Sequence, residues 1–201
     1  MTSQQTAFFT QNGYIELEGL SFKPEEIFSA ARTAAAETPF GRDLWRKTEI
    51  LHRLLTRKLA PAIFSIATRP VRLACDQWIT QGFCSKPTPI KDLVCIQGLT
   101  LCALFSSMEI PTPTRRLSAL GIPPFPSHPS NVLLVKPNIV LDWPLLAKAP
   151  GEFYLAVYAL PNQAVYVHNP QDPATYSLKD LGYEFGDVLK DPSHPIIINH
   201  G

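Results

Sequence analysis

Residues 71–79, VRLACDQWI, open the part of the chain whose reading decides the fold. From Val71 onward the apolar runs are short, rich in β-branched and aromatic residues, and bounded by Pro, Gly, Ser and Asn, which is how strands separated by turns read. IKDLVCIQGLTLCALF (90–105), NVLLVKPNIVL (131–141), GEFYLAVYAL (151–160) and AVYVHN (164–169) continue the pattern. Twenty prolines, scattered rather than periodic, exclude long helices from this half. The strands follow helices without βαβ alternation, so the expected class is α+β with a sandwich or jelly-roll core.

Working outward, the segment before the strands reads as helical support. Pro24 suits a first helical position, Glu25 and Glu26 follow in the first turn, and Thr38-Pro39 stops the run, predicting a helix over 24–37. A second helix is expected from Arg42 to Leu59, with Leu44, Leu51, Leu54 and Leu55 on one side. Arg42, Arg46, Arg53 and Arg57 fall on another side and form a basic stripe that could grip phosphates. Asp43 and Glu49 dilute it, and a solvated helix face is the favoured meaning. The chain is expected to form one domain over 1–201, with helical support over about 21–60 and a strand core over about 70–190.

With 201 residues, 45% hydrophobic, 17% charged and net charge +1, the composition is that of a folded globular chain with no global field for nucleic acid or an anionic membrane. MTSQQTAFFTQNGY lacks the basic and apolar regions of a secretory signal, and no apolar run reaches the roughly 20 residues of a membrane span. A cytoplasmic location is the default expectation. Cys75, Cys84, Cys95 and Cys102 form no CxxC pair and are not interleaved with histidine, so buried free thiols are expected rather than a zinc site. The proline-rich stretch 111–131 reads as either a lid or a rigid crossover, the crossover being favoured.

FFTQNGYIELEGL (8–20), followed by the Pro-Glu-Glu helix, resembles the start of phytanoyl-CoA-hydroxylase-like proteins, members of the Fe(II)/2-oxoglutarate-dependent oxygenases. In them an FxxxGY strand precedes helices that buttress a double-stranded β-helix. VRLACDQWI, a strand around CIQGL, SNVLLVKP and GEFYLAVYA keep the same order. The closing DPATYSLKDLGYEFGDVL (172–189) and HPIIINH (194–200) are similar to a small uncharacterised chlamydial family placed on this scaffold. The resemblance implies an α+β double-stranded β-helix, or jelly roll, buttressed by N-terminal helices.

It also implies a metal triad that the residues do not supply. Non-haem Fe(II) oxygenases use two histidines and a carboxylate, the first pair as His-x-Asp or His-x-Glu. The corresponding region, about Cys75 to Ile96, contains Asp76 and Asp92, and no histidine occurs from residue 53 to residue 127. Val140–Trp143 stand where the remote histidine is expected, with Asp142 as a possible oxygen ligand. Gly151, Glu152 and Phe153 stand where an arginine for 2-oxoglutarate is expected, and Lys148 lacks the planar fork.

The first expectation is therefore a non-catalytic binding or regulatory module with a small-molecule or protein partner. It needs no cofactor, and its vestigial pocket would be marked by Asp76, Gln77, Gln97 and Asp142. The alternative is an oxygenase with displaced ligands, such as Asp142 with His128 or His168, holding Fe(II) and 2-oxoglutarate. A third reading is a nucleic-acid-binding regulator using the arginine face. Cys84 or Cys95 activated by His52 or His128 is a disfavoured nucleophile, and P-loop, Rossmann, HExxH and GxSxG motifs are absent from the sequence. His168 is expected in a solvated turn, His194 and His200 near a frayed end. In LGYEFGD (181–187), Tyr183 and Phe185 are expected to bury area against the sheet.

Overall fold

The computed structural model describes residues 2–79, 83–109, 125–149 and 151–197. Most of the 111–131 stretch, with its lid or crossover, lies outside the described residues, as does His200.

The chain is a mixed helix and sheet structure around a curled antiparallel sheet. Three helices form the N-terminal support: α1 (Ser3–Asn12), α2 (Pro24–Ala36) and α3 (Glu49–Arg53), with α4 (Ala60–Ala67) completing it. The six-stranded sheet contains β1 (Tyr14–Leu17), β2 (Val71–Ile79), β5 (Leu99–Ser106), β6 (Val132–Val135), β8 (Phe153–Ala159) and β10 (Ile196–Ile197). Their order is β1-β6-β5-β8-β2-β10, every pairing antiparallel. Two short ladders stand apart from it: β3 (Thr88–Pro89) with β7 (Val140–Leu141), and β4 (Ile96–Gln97) with β9 (Val165–Tyr166). A short helix, α5 (Trp143–Lys148), follows β7.

Two apolar layers flank the sheet. On the outer face Leu73, Phe105, Tyr154 and Tyr158 pack against Phe28, Leu51, Leu55 and Ile63 of the helices. On the inner face Cys75, Leu104, Val135 and Val157 meet a cover made from Ile90, Trp143, Tyr166 and Leu189. β6 and β8 are buried on both faces, so their runs are continuously apolar rather than alternating, while the equally buried β2 carries Arg72, Asp76 and Gln77 within its apolar run. The four cysteines are free, three of them buried, as expected.

Several expectations need correction. FFTQN is the end of α1 and not part of a strand: Thr2 and Gln5 form a capping box and left-handed Gly13 stops the helix before β1. The continuous helix over Arg42–Leu59 does not form. Asp43 is left-handed (φ 60°), Leu44–Arg46 is a single 3-10 turn, Thr48 is an extended N-cap, and α3 passes into a π-helical turn over Leu54–Lys58. The four arginines therefore share no helix face, and Arg42 is buried. IKDLVCIQGLTLCALF is broken by left-handed Gly98, where a Cβ would stand 1.9 Å from the Gln163 carbonyl oxygen. β4 thus belongs to the cover and β5 to the sheet. The second layer is two separate ladders among the described residues, where a jelly roll implies a full second sheet. Tyr183 is buried as expected, but Phe185 remains on the surface.

Candidate binding site

β2 carries Asp76 and Gln77 to opposite faces of the sheet, and each grips the segment Phe40–Arg46 as it crosses the strand's edge. On the helix side, the Asp76 carboxyl accepts from Leu44 N at 2.6 Å, from Trp45 N at 2.8 Å and from the Tyr154 hydroxyl. Burial, and then Asp43 nearby, push this carboxyl up to about 7, against the three donors. Asp76 is wholly enclosed, so it anchors the turn and meets no ligand.

On the cover side, Gln77 Oε1 accepts from Arg42 Nε at 2.8 Å, and its Nε2 donates to the Phe40 carbonyl at 2.7 Å. The Arg42 guanidinium in turn donates to both oxygens of Asp172, at 2.9 and 3.3 Å. Arg42 is 3% and Asp172 2% exposed, so this is a buried ion pair. Burial alone would lower the guanidinium, but Cys75, Asp172 and Cys95 outweigh it and hold Arg42 above the usual arginine range. The remaining capacity of Asp172 is met by Cys95 N at 2.7 Å and Ala174 N at 2.9 Å. Complete satisfaction of this kind is what keeps a buried pair from being a net cost.

Above this lattice lies a cleft of about 450 Å³. Pro39 and Phe40 form one wall, Tyr176 and Leu181 the other, with Lys47 and Asp180 at its edges. Phe40 is 61% and Tyr176 58% exposed. Gln77 holds the Phe40 backbone and Asp172 holds the turn leading to Tyr176, so one ion pair fixes both walls.

The four residues anticipated from sequence do not converge. Asp76 and Gln77 point away from each other. Gln97 is exposed beside Lys91 and Lys136 in a separate cleft of about 850 Å³. Asp142 caps α5, accepting from Leu145 N at 3.0 Å. Glu152 is held in a bidentate pair with Arg32 at 2.6 and 2.9 Å.

The histidines are dispersed as well. His128 Nδ1 accepts from Ser130 N, His168 lies among Tyr176 and Phe185 on the surface, and His52 stacks on Trp45. His194, expected to fray, is fully buried between the Arg46 guanidinium at 3.0 Å and the Tyr183 hydroxyl at 3.2 Å. Burial first, then Arg46 and Arg72, lower its ring to about 3. Burial, then Asp172, pushes the Cys95 thiol up to about 12, which removes it as a nucleophile. Among the described residues no three His, Cys, Asp or Glu side chains meet as a metal site, so those present do not fit the two-histidine, one-carboxylate donor set.

The fold has close counterparts among solved structures. A non-haem α-ketoglutarate-dependent carbocyclase, SnoK from nogalamycin biosynthesis, superimposes with TM-score 0.72 at 12% identity, over 98% of this chain and 97% of that one. The epimerase SnoN from the same biosynthesis gives 0.69 at 17%, over 97% and 98%. CytC3 with Fe(II) and α-ketoglutarate gives 0.55 at 11%, over 98% and 87%. The chain has an oxygenase-like fold. Identities this low establish the fold alone. The Chlamydia trachomatis protein CT296 reaches TM-score 0.49 at 13% identity, over 79% of this chain and 94% of that one, and no part of the assignment rests on it. No family model and no curated protein matches the sequence. Among the described residues no helix is long and apolar enough to cross a membrane.

Arg42 and Asp172 are the candidate-site residues that the sequence does not single out. Arg42 is expected in a solvated stripe, and Asp172 carries no expectation beyond opening the stretch 172–189. The only local signal was the turn chemistry of Asn169–Thr175, which announces a fixed loop but not its partner 130 positions earlier.

Proposed function

We propose that the chain is a non-catalytic binding module built on an oxygenase-like jelly roll, the two short ladders being a reduced second sheet. The observation that carries this reading is the Arg42–Asp172 pair fixing both walls of the Phe40–Tyr176 cleft, since preformed walls spare a ligand the cost of ordering them. The Glu152–Arg32 pair supports the same reading, because the acid standing where a cofactor-binding arginine is expected is already neutralised from α2. The four free thiols fit a cytoplasmic setting.

Anaerobic titration of the purified protein with Fe(II) and 2-oxoglutarate tests the proposal. The expected result is no charge-transfer absorbance and no retained metal. A saturable band would overturn it in favour of an oxygenase with displaced ligands.

A further inference from the structure

Phe40 is an unusual residue to find exposed. Its backbone is left-handed (φ 60°, ψ 8°), a conformation that bulky L residues avoid. With 61% of the residue in solvent, burial of the ring does not offset that strain. What maintains it is remote: the Phe40 carbonyl is held by Gln77, which is held by Arg42, which is held by Asp172. Strain imposed by a satisfied buried network, at a position that gains little itself, points to a presented side chain.

Across the cleft Tyr176 and Leu181 offer a second apolar plate, and Leu181 is 43% exposed. The charges at the cleft are of two kinds. Asp43 and Arg46 are matched, 3.7 Å apart, and Arg46 also donates to Ser193 O. Lys47, on the Phe40 wall, and Asp180, on the Tyr176 wall, make no ion pair or side-chain hydrogen bond among the described residues, with each other or with any other group. The cleft therefore has two aromatic walls, one unanswered cation and one unanswered anion, in a volume of about 450 Å³ suited to a small molecule.

Resting on the reading of the chain as a binding module, we propose that this cleft binds an aromatic α-amino acid, or a small molecule carrying that group. Its ring lies between Phe40 and Tyr176, its carboxylate meets Lys47, and its ammonium meets Asp180. An aromatic acid without the amine leaves Asp180 unanswered, and an aromatic amine without the acid leaves Lys47 unanswered.

Amide NMR titration of the full chain with L-phenylalanine, L-tyrosine and L-tryptophan tests this, with 3-phenylpropionate and phenethylamine as singly charged controls. The expected result is saturable shifts at Phe40, Gly41, Tyr176 and Leu181 with at least one amino acid, and affinity at least tenfold weaker for both controls. K47Q and D180N should each weaken binding about tenfold, as loss of one charge contact does, and F40G should weaken it while the protein stays folded. Equal binding of the controls, or no saturable shift with any of the three amino acids, overturns the proposal. In the latter case continued silence towards Fe(II) and 2-oxoglutarate leaves the binding-module reading standing, whereas a charge-transfer band removes both.

Discussion

Asp76 and Gln77 follow one another in β2 and hold the same crossing segment, but the two faces of the sheet solve the task with different chemistry. On the helix side a carboxyl is answered by backbone and hydroxyl donors and carries no cation of its own. On the cover side an amide leads to a full ion pair. The first arrangement responds to pH, because its proton is poised near neutrality. The second is fixed, because a paired guanidinium does not titrate in any accessible range. The face that varies anchors the fold, and the face that does not vary shapes the cleft.

The strongest way to break this contrast is to remove one charge from the fixed side. D172N leaves Arg42 buried without its partner and is expected to cost about 3–5 kcal/mol in urea unfolding. Replacing both members, R42M/D172L, removes the lone buried charge but strands Cys95 N, Ala174 N and Gln77 Oε1, so it should recover only part of the loss and remain about 2–3 kcal/mol below the parent. The double variant should nevertheless lose the defined cleft, seen as broadened amide signals at Phe40 and Tyr176.

On the helix side, D76A strands Leu44 N, Trp45 N and the Tyr154 hydroxyl, for an expected loss of about 3 kcal/mol. The pH dependence sharpens the comparison further. Asp76 is raised from 3.8 to about 7 in the folded protein, so the unfolded chain releases its proton first. Its contribution is complete below pH 4 and is lost as pH rises towards 7. His194, lowered from 6.5 to about 3, works in the opposite sense: the unfolded chain takes up a proton first, so its contribution is complete above pH 6.5 and is lost as pH falls. The two windows overlap between about pH 4 and 6.5 with opposite signs, so the parent should show little net slope there. D76N should leave the histidine alone and make stability rise with pH across that range, and H194Q should leave the carboxyl alone and make it fall, both read from urea unfolding. The smallest expected effect is F40G, which relieves the left-handed strain and should gain up to about 1 kcal/mol in stability.

The strands were the most legible part of the fold. VRLACDQWI is β2 end to end, and GEFYLAVYAL contains β8; the latter is apolar throughout because both its faces are buried, and the former stays legible despite Arg72, Asp76 and Gln77 because its remaining residues are apolar and bounded by turns. The α2 helix ends one residue before its expected limit. The 42–59 region misled because leucine spacing reports which residues are buried, not whether the backbone between them stays helical. A single left-handed Asp43, fixed by contacts with β2, cancels the period. The site was legible as a set of missing ligands and illegible as a construction. Neither Arg42 nor Asp172 looks unusual alone, and what makes them a pair is sheet geometry. His194 likewise lies three residues before the described end and is buried because Arg46 and Tyr183 enclose it.

Gly98 carries a consequence for how the molecule ages under mutation. It is the residue at which the chain passes from β4 of the cover into β5 of the sheet, and it does so with its backbone against that of Gln163. The spacing of the two layers at that end is consequently a backbone distance, like the fold of a hinge, and no side chain sets it. Truncations beside Ile96 and Tyr166 will leave voids there, since the layers cannot close over them. Neutral drift in core volume should therefore be scarce beside Ile96 and Tyr166.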